Sequence, residues 1–214
     1  MPHKHIDGIP SVTEILDVIN KPYLQYWRGK YGNAKCEKIS KQSKAIGIRV
    51  HTEIERLFKG SGPKYKNKAI RKMVQNFNDS FVIPYQVKPM VIEPKEPFID
   101  NENKYSGTFD AVIEVYSKSE DASVLVIADW KTSNQIDKTW GLQLAAYANL
   151  YNLSQKHLSN LLGINEGLVI RLDKKTLEIE GPIWYTNLDQ YFEVFLSCRR
   201  LYDFVNKKGI WEKQ

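Results

Sequence analysis

Asp110, Asp129 and Lys131 are residues whose types and spacing can do chemistry together. Asp129 and Lys131 lie two apart at the end of an apolar run, Val124 to Trp130 (VLVIADW), which reads as a central buried strand. Strand periodicity sends both side chains to one face. Asp110 lies in Gly107 to Val115, where apolar and polar residues alternate, and this predicts an antiparallel strand beside the first. Two carboxylates supply hard oxygen ligands for a magnesium or manganese ion. Such an ion neutralises a phosphate oxygen and lowers the pKa of a bound water, and a lysine beside it orients that water or stabilises charge on the phosphate. The set fits metal-assisted hydrolysis of a phosphate ester. A D-x-K triplet by itself also fits a strand re-entering solvent. The weight comes from the ensemble: Gly107-Thr108-Phe109-Asp110, then Asp129-Trp130-Lys131-Thr132-Ser133, then Gln143 and Tyr147 at i and i+4 on the next helix.

The elements that must position these residues can be read from periodicity. Residues 11–30 predict a short helix and then an aromatic-rich one, with Glu14 at capping-box spacing from Ser11. Residues 33–48 are polar and basic, and a helix is expected around 43–59, where Ile46, Val50, Ile54 and Leu57 form a stripe. Gly60-Ser61-Gly62-Pro63 ends it. Residues 66–83 predict another helix. A proline-broken extended segment follows, flanked by Val91-Ile92 and Phe98-Ile99. Lys118 to Asp121 is expected as the turn between the two strands already described. Residues 138–151 predict an amphipathic helix with Trp140, Leu144, Tyr147 and Tyr151 inward. Two more strands are expected at Leu168 to Leu172 and Leu177 to Trp184, then a closing helix over 188–206. This order argues for an α/β fold with a mixed central sheet flanked by helices. One domain over 1–214 is expected, with 1–85 mainly helical and 86–214 bearing the sheet.

Composition narrows the classes. The net charge of +6 suits a polyanionic partner without demanding one. The apolar runs are too short to span a bilayer, and no charged-then-apolar segment opens the chain. Cys36 and Cys198 lack metal-site spacing and read as reduced thiols in a cytoplasmic protein.

The motifs GTFD, IADWKTS and QLAAY resemble those of the PD-(D/E)XK nuclease superfamily, and within it the RecB-like branch that includes phage exonucleases and the mitochondrial genome maintenance exonuclease. The likeness covers roughly residues 10–205. It implies a restriction-endonuclease-like fold and a Mg2+- or Mn2+-dependent deoxyribonuclease. It places the acidic ligands on Asp110 and Asp129, the motif lysine on Lys131, and the family glutamine and tyrosine on Gln143 and Tyr147. Gly47-Ile48-Arg49-Val50-His51-Thr52-Glu53-Ile54-Glu55 matches a G-x-x-x-H-x-x-x-E helix pattern of the branch, which makes His51 a metal ligand. An acidic residue of the preceding strand falls on Glu96, with Glu93 the alternative. The cysteines of the iron–sulfur-bearing relatives are absent, so no cluster is expected. Phe109 stands where the superfamily name has a proline. The resemblance implies exonuclease action on DNA with a free end or single-stranded character, in replication, recombination or repair, where a partner protein would supply any unwinding. It implies a cytoplasmic location, in the host cytoplasm if the chain is phage-encoded. Two other readings stay open: a non-catalytic DNA-binding subunit on a nuclease fold, and a restriction-type endonuclease.

On the substrate side, Lys44, Arg49 and Ser133 join Gln143 and Tyr147 as expected DNA contacts. Tyr23, Tyr26, Trp27 and Tyr31 interleave with Lys21, Arg28 and Lys30, a pattern that fits base stacking with phosphate tracking. Tyr23 and Trp27 read better as packing on the core.

Overall fold

The computed structural model describes residues 6–117, 121–156 and 163–206. Most of the expected turn at 118–121 lies outside them. The chain opens with helix α1 (Val12–Leu16), capped as its spacing predicts: the Ser11 N–H donates to Glu14 Oε2 at 2.7 Å, and the Glu14 N–H donates to Ser11 Oγ at 3.3 Å. Helix α2 (Pro22–Tyr31) has no buried residue. Helix α3 (Asn33–Phe58) runs 26 residues and starts ahead of the helix expected around 43–59. The polar stretch before Ser43 holds no proline or glycine and is rich in good helix formers, so nothing breaks it. Helix α4 (Lys68–Phe77) continues into a π-helical turn at Asn78–Val82.

Five strands form the main sheet: β1 (Lys88–Ile92), β4 (Ala111–Ser117), β5 (Ala122–Lys131), β6 (Glu166–Leu172) and β7 (Ile179–Thr186), in that spatial order. The β5–β6 pair is parallel and the others antiparallel, so the sheet is mixed. The parallel crossover is made by helix α5 (Trp140–Gln155), and helix α6 (Leu188–Asn206) closes the described chain. A separate ribbon pairs β2 (Phe98–Asp100) with β3 (Tyr105–Gly107).

The expected strand from Gly107 to Val115 is therefore two pieces. Gly107 ends the ribbon, and Thr108 to Asp110 carry the chain into the main sheet. Packing explains the break. A Cβ on Gly107 would sit 2.8 Å from Tyr147 Cε1 and 3.1 Å from Val12 Cγ2, so the strand slips beneath α5 only because no side chain stands there. Phe109 then turns into the core, its ring 5.0 Å from that of Phe98 and 6.0 Å from that of Tyr151.

Two cores cover the two faces of the sheet. Val112, Ile127 and Val169 face α1, α5 and α6. Ile113, Val126, Trp130 and Leu168 face α3 and α4. Burial on both faces is why β5 reads as a continuous apolar run. Helix α5 is buried on most sides, beyond the amphipathic stripe expected of it, because β2 and β3 as well as the sheet, α1 and α6 pack around it. Its alanines, glycine and small cross-section fit that sandwich.

Candidate metal centre and active site

The site forms where several chain segments meet at the carboxyl end of β5. Strand alternation decides what β5 presents there. Trp130 points into the α3–α4 core, where its ring lies 5.0 Å from Phe77 and 6.2 Å from Phe81. Asp129 and Lys131 point the other way, toward α5. Lys131 Nζ lies 2.7 Å from Asp129 Oδ2. That is an ion pair by distance, yet no directed hydrogen bond reaches Asp129 Oδ2, which is fully buried. Lys131 donates its well-aligned bond to Gln143 Oε1 at 2.9 Å, and Gln143 Nε2 donates to the Tyr147 hydroxyl at 3.1 Å. The glutamine and tyrosine spacing thus has a local meaning: one turn of α5 holds the lysine in place.

Asp110 arrives from the strand next door. Ala111 pairs with Ala128, so Asp110 stands beside the end of β5, and its Oδ2 accepts the Trp130 N–H at 2.7 Å. On its other side, β1 ends opposite Ala111, and the Glu93 N–H donates to the Asp110 carbonyl at 2.8 Å. Glu93 has a φ of 44°, a left-handed conformation that side chains other than glycine's adopt at a cost of about 1–3 kcal/mol. That turn directs its carboxylate into the site.

His51 comes from α3. Its Nε2–H donates to the Trp130 carbonyl at 2.9 Å, and a carbonyl can only accept. The bond fixes the tautomer, so in the neutral ring the lone pair is on Nδ1. Nδ1 faces Glu93 Oε1 at 3.0 Å and Asp110 Oδ1 at 3.3 Å. Ligand atoms of His51, Glu93 and Asp110 all lie within 4.8 Å of one another, a group that could hold a metal ion. Gly47, one turn earlier, lets α3 approach: a Cβ there would stand 3.2 Å from Thr132 Oγ1.

The electrostatics follow from crowding charges in a dry place. Burial pushes His51 toward neutrality, but the Asp110 charge, with the hydrogen bonds that the protonated ring donates to Asp110 and Glu93, overrides it and holds the imidazole pKa well above its usual 6.5. Burial also raises Asp110, while the His51 and Lys131 charges pull it below the ordinary carboxylate range. Asp129 goes the other way. Burial dominates, Asp110 adds repulsion, Lys131 opposes them, and the pKa rises to about 6.

These residues line one cavity of about 470 Å3, together with Lys44, Thr108, Thr132, Ser133, Gln143, Tyr147 and Lys174. Several expected residues stand elsewhere than their spacing suggests. Glu96 is exposed and does not line the cavity, whereas Glu93 meets His51; Pro94 and Pro97 let the chain leave the sheet edge directly after Glu93. Arg49 is exposed on the side of α3 away from the cavity, its guanidinium 5.7 Å from the Tyr65 ring centre. Asp129, expected as a metal ligand, is paired with Lys131 and stands outside the His51–Glu93–Asp110 group. Tyr23 is 45% exposed rather than packed, and its hydroxyl donates to Asp137. Lys174 was not singled out by its sequence, because nothing distinguishes it from the adjacent Lys175 until the turn between β6 and β7 is folded.

No helix among the described residues is long and apolar enough to cross a membrane. No family model matches the chain, and no curated protein matches it. Among solved structures, the chain is similar to that of SSO0001, at 15% identity and a TM-score of 0.44, over 96% of this chain and 80% of the other.

Proposed function

We propose that this protein is a metal-dependent deoxyribonuclease of the PD-(D/E)XK type that hydrolyses phosphodiester bonds from DNA ends. The observation that carries the reading is the convergence of His51 Nδ1, Glu93 Oε1 and Asp110 Oδ1 beside the buried Asp129–Lys131 pair. The mixed sheet flanked by helices, with the pair at the end of its central strand, supports the restriction-endonuclease-like assignment.

The donor set suits magnesium or manganese. Two carboxylate oxygens are hard ligands, and one imidazole is compatible with manganese in particular. A bound ion would supply Lewis acidity and a water of lowered pKa. Asp129 stands close by, buried beside Lys131, and its carboxylate would accept a proton from such a water. Lys131, steadied by Gln143, directs its ammonium to a non-bridging oxygen of the phosphate and offsets the charge that builds there. Water forms the new bond to phosphorus, and the bridging oxygen leaves and takes up a proton from solvent. The cavity, about 470 Å3, has room for the nucleotide at the scissile phosphate.

The test is end-labelled linear DNA, single- and double-stranded, incubated with magnesium, manganese or chelator. A closed circle and Lys131→Ala run alongside. Degradation of linear DNA only with metal, with the circle intact and the variant inactive, is the expected result. DNA binding without cleavage by the wild type would replace this reading with that of a non-catalytic DNA-binding subunit.

A further inference from the structure

Besides Lys131, the cavity is lined by two lysines from different elements, Lys44 on α3 and Lys174 on the turn after β6. Lys131 meets Asp129 and Gln143 and keeps a third N–H for the phosphate that is cut. Among the described residues, neither Lys44 nor Lys174 has a carboxylate within ion-pair distance. The turn that carries Lys174 is held from several directions. Asp173 Oδ1 accepts the N–H groups of Lys175 and Thr176 at 2.7 and 3.1 Å, and the Asp173 N–H donates to the Glu178 carbonyl at 2.9 Å. Arg171 ties this turn to the loop that follows the D-x-K strand. Its Nη1 donates to the Ser133 carbonyl at 3.0 Å and to Asp173 Oδ2 at 3.1 Å, and it also pairs with Glu180.

Arg171 is therefore spent on structure, and what it positions is its neighbour. The backbone under Lys174 is fixed relative to Ser133, so only the lysine stem can adjust. Partial burial, opposed by Asp173, lowers the ammonium pKa, as expected for a cation held away from full hydration. A partly desolvated cation on a cavity wall, with no carboxylate of the described residues within ion-pair distance, is arranged to receive an anion.

We propose that Lys174 is a substrate-binding residue whose ammonium grips a backbone phosphate of the DNA strand lying in the cavity, next to the phosphate that is cut. The proposal rests on the deoxyribonuclease reading above. It adds a contact supplied by the β6–β7 turn, outside the D-x-K strand and the α3 helix.

The experiment measures equilibrium binding of a fluorescent single-stranded oligonucleotide by anisotropy, across a salt series, with calcium in place of magnesium. Wild type, Lys174→Gln, Lys174→Arg and Lys175→Gln are compared. Lys175 is exposed on the same turn and does not line the cavity, so its variant controls for the change in net charge. Lys174→Gln is expected to bind on the order of tenfold more weakly and to lower the slope of log affinity against log salt by about 1. Lys174→Arg should keep most of both, and Lys175→Gln should match wild type. Lys174→Gln indistinguishable from Lys175→Gln in affinity and slope overturns the proposal while leaving the nuclease reading intact. A wild type that binds no oligonucleotide at all overturns the nuclease reading itself, without recourse to any variant.

Discussion

The last residues of β5 present two chemically opposite faces. On one, Trp130 is sealed among Phe58, Phe77 and Phe81. On the other, Asp129 and Lys131 meet Gln143, Asp110 and the cavity. A single step along the strand separates anchoring from chemistry. The apolar face contributes burial energy and fixes the strand. The polar face holds charges that burial penalises, and it can do so because Trp130 keeps the backbone from moving to relieve them. Trp130 also serves both faces through its backbone: its N–H holds Asp110 and its carbonyl orients His51.

Substitutions on the two faces should therefore separate activity from stability. The largest effect is expected from Asp110→Asn, which should lower the rate of DNA cleavage by on the order of a thousandfold or more in a metal-supplemented assay. Its denaturation midpoint should move far less than its activity. A variant cleaving within tenfold of wild type would remove Asp110 from the chemistry. Trp130→Ala acts from the other face. Loss of a fully buried indole should lower unfolding free energy by about 3–5 kcal/mol in urea titration. A loss under about 1 kcal/mol would mean the aromatic face is not the anchor.

Gly107→Ala sharpens the comparison at the seam between strand and helix. Its Cβ would push against Tyr147, which supports Gln143 and through it Lys131. We expect about 1–3 kcal/mol of destabilisation together with reduced cleavage, read by denaturant melts and the same DNA assay. A variant with full stability and activity would show that the α5 contact carries neither.

The smallest effect is a pH dependence. Without metal, the raised His51 pKa means that its protonated form stabilises the fold. That contribution is fully present below about pH 6.5, the ordinary imidazole value, and is lost as pH rises through the higher folded value. Asp129, raised from 3.8 to about 6, adds a loss between those values as it ionises. The melting temperature of the metal-free protein should therefore drift down as pH rises from 5 to 8 by a few degrees, and a flat or rising profile would contradict these charge states. Manganese should reverse the drift, because it replaces the proton at Nδ1.

Much of this was legible in the residues themselves. The strand ending in Asp129-Trp130-Lys131 is a long apolar run of strand length, and the capping box at Ser11 and the stop at Gly60 are local signals that tertiary packing had no reason to override. Helix α3 is longer than its apolar stripe because the stripe marks only the part that touches the sheet. The choice between Glu93 and Glu96 was not legible: both lie among prolines, and only the pairing of Ile92 with Ala111 sets Glu93 beside Asp110. Lys174 was invisible for the same reason. Its place in the cavity depends on Arg171 bridging two loops far apart in sequence.

The central claim is that His51, Glu93 and Asp110 hold one divalent metal. Calorimetric titration of manganese into the protein at pH 6.5, repeated in buffers of different ionisation enthalpy, tests it most directly. Saturable binding is expected, with release of about one proton per metal as the ion displaces the proton on His51 Nδ1, and with loss of both signals in His51→Gln. Binding without proton release, or binding unchanged in His51→Gln, would contradict it.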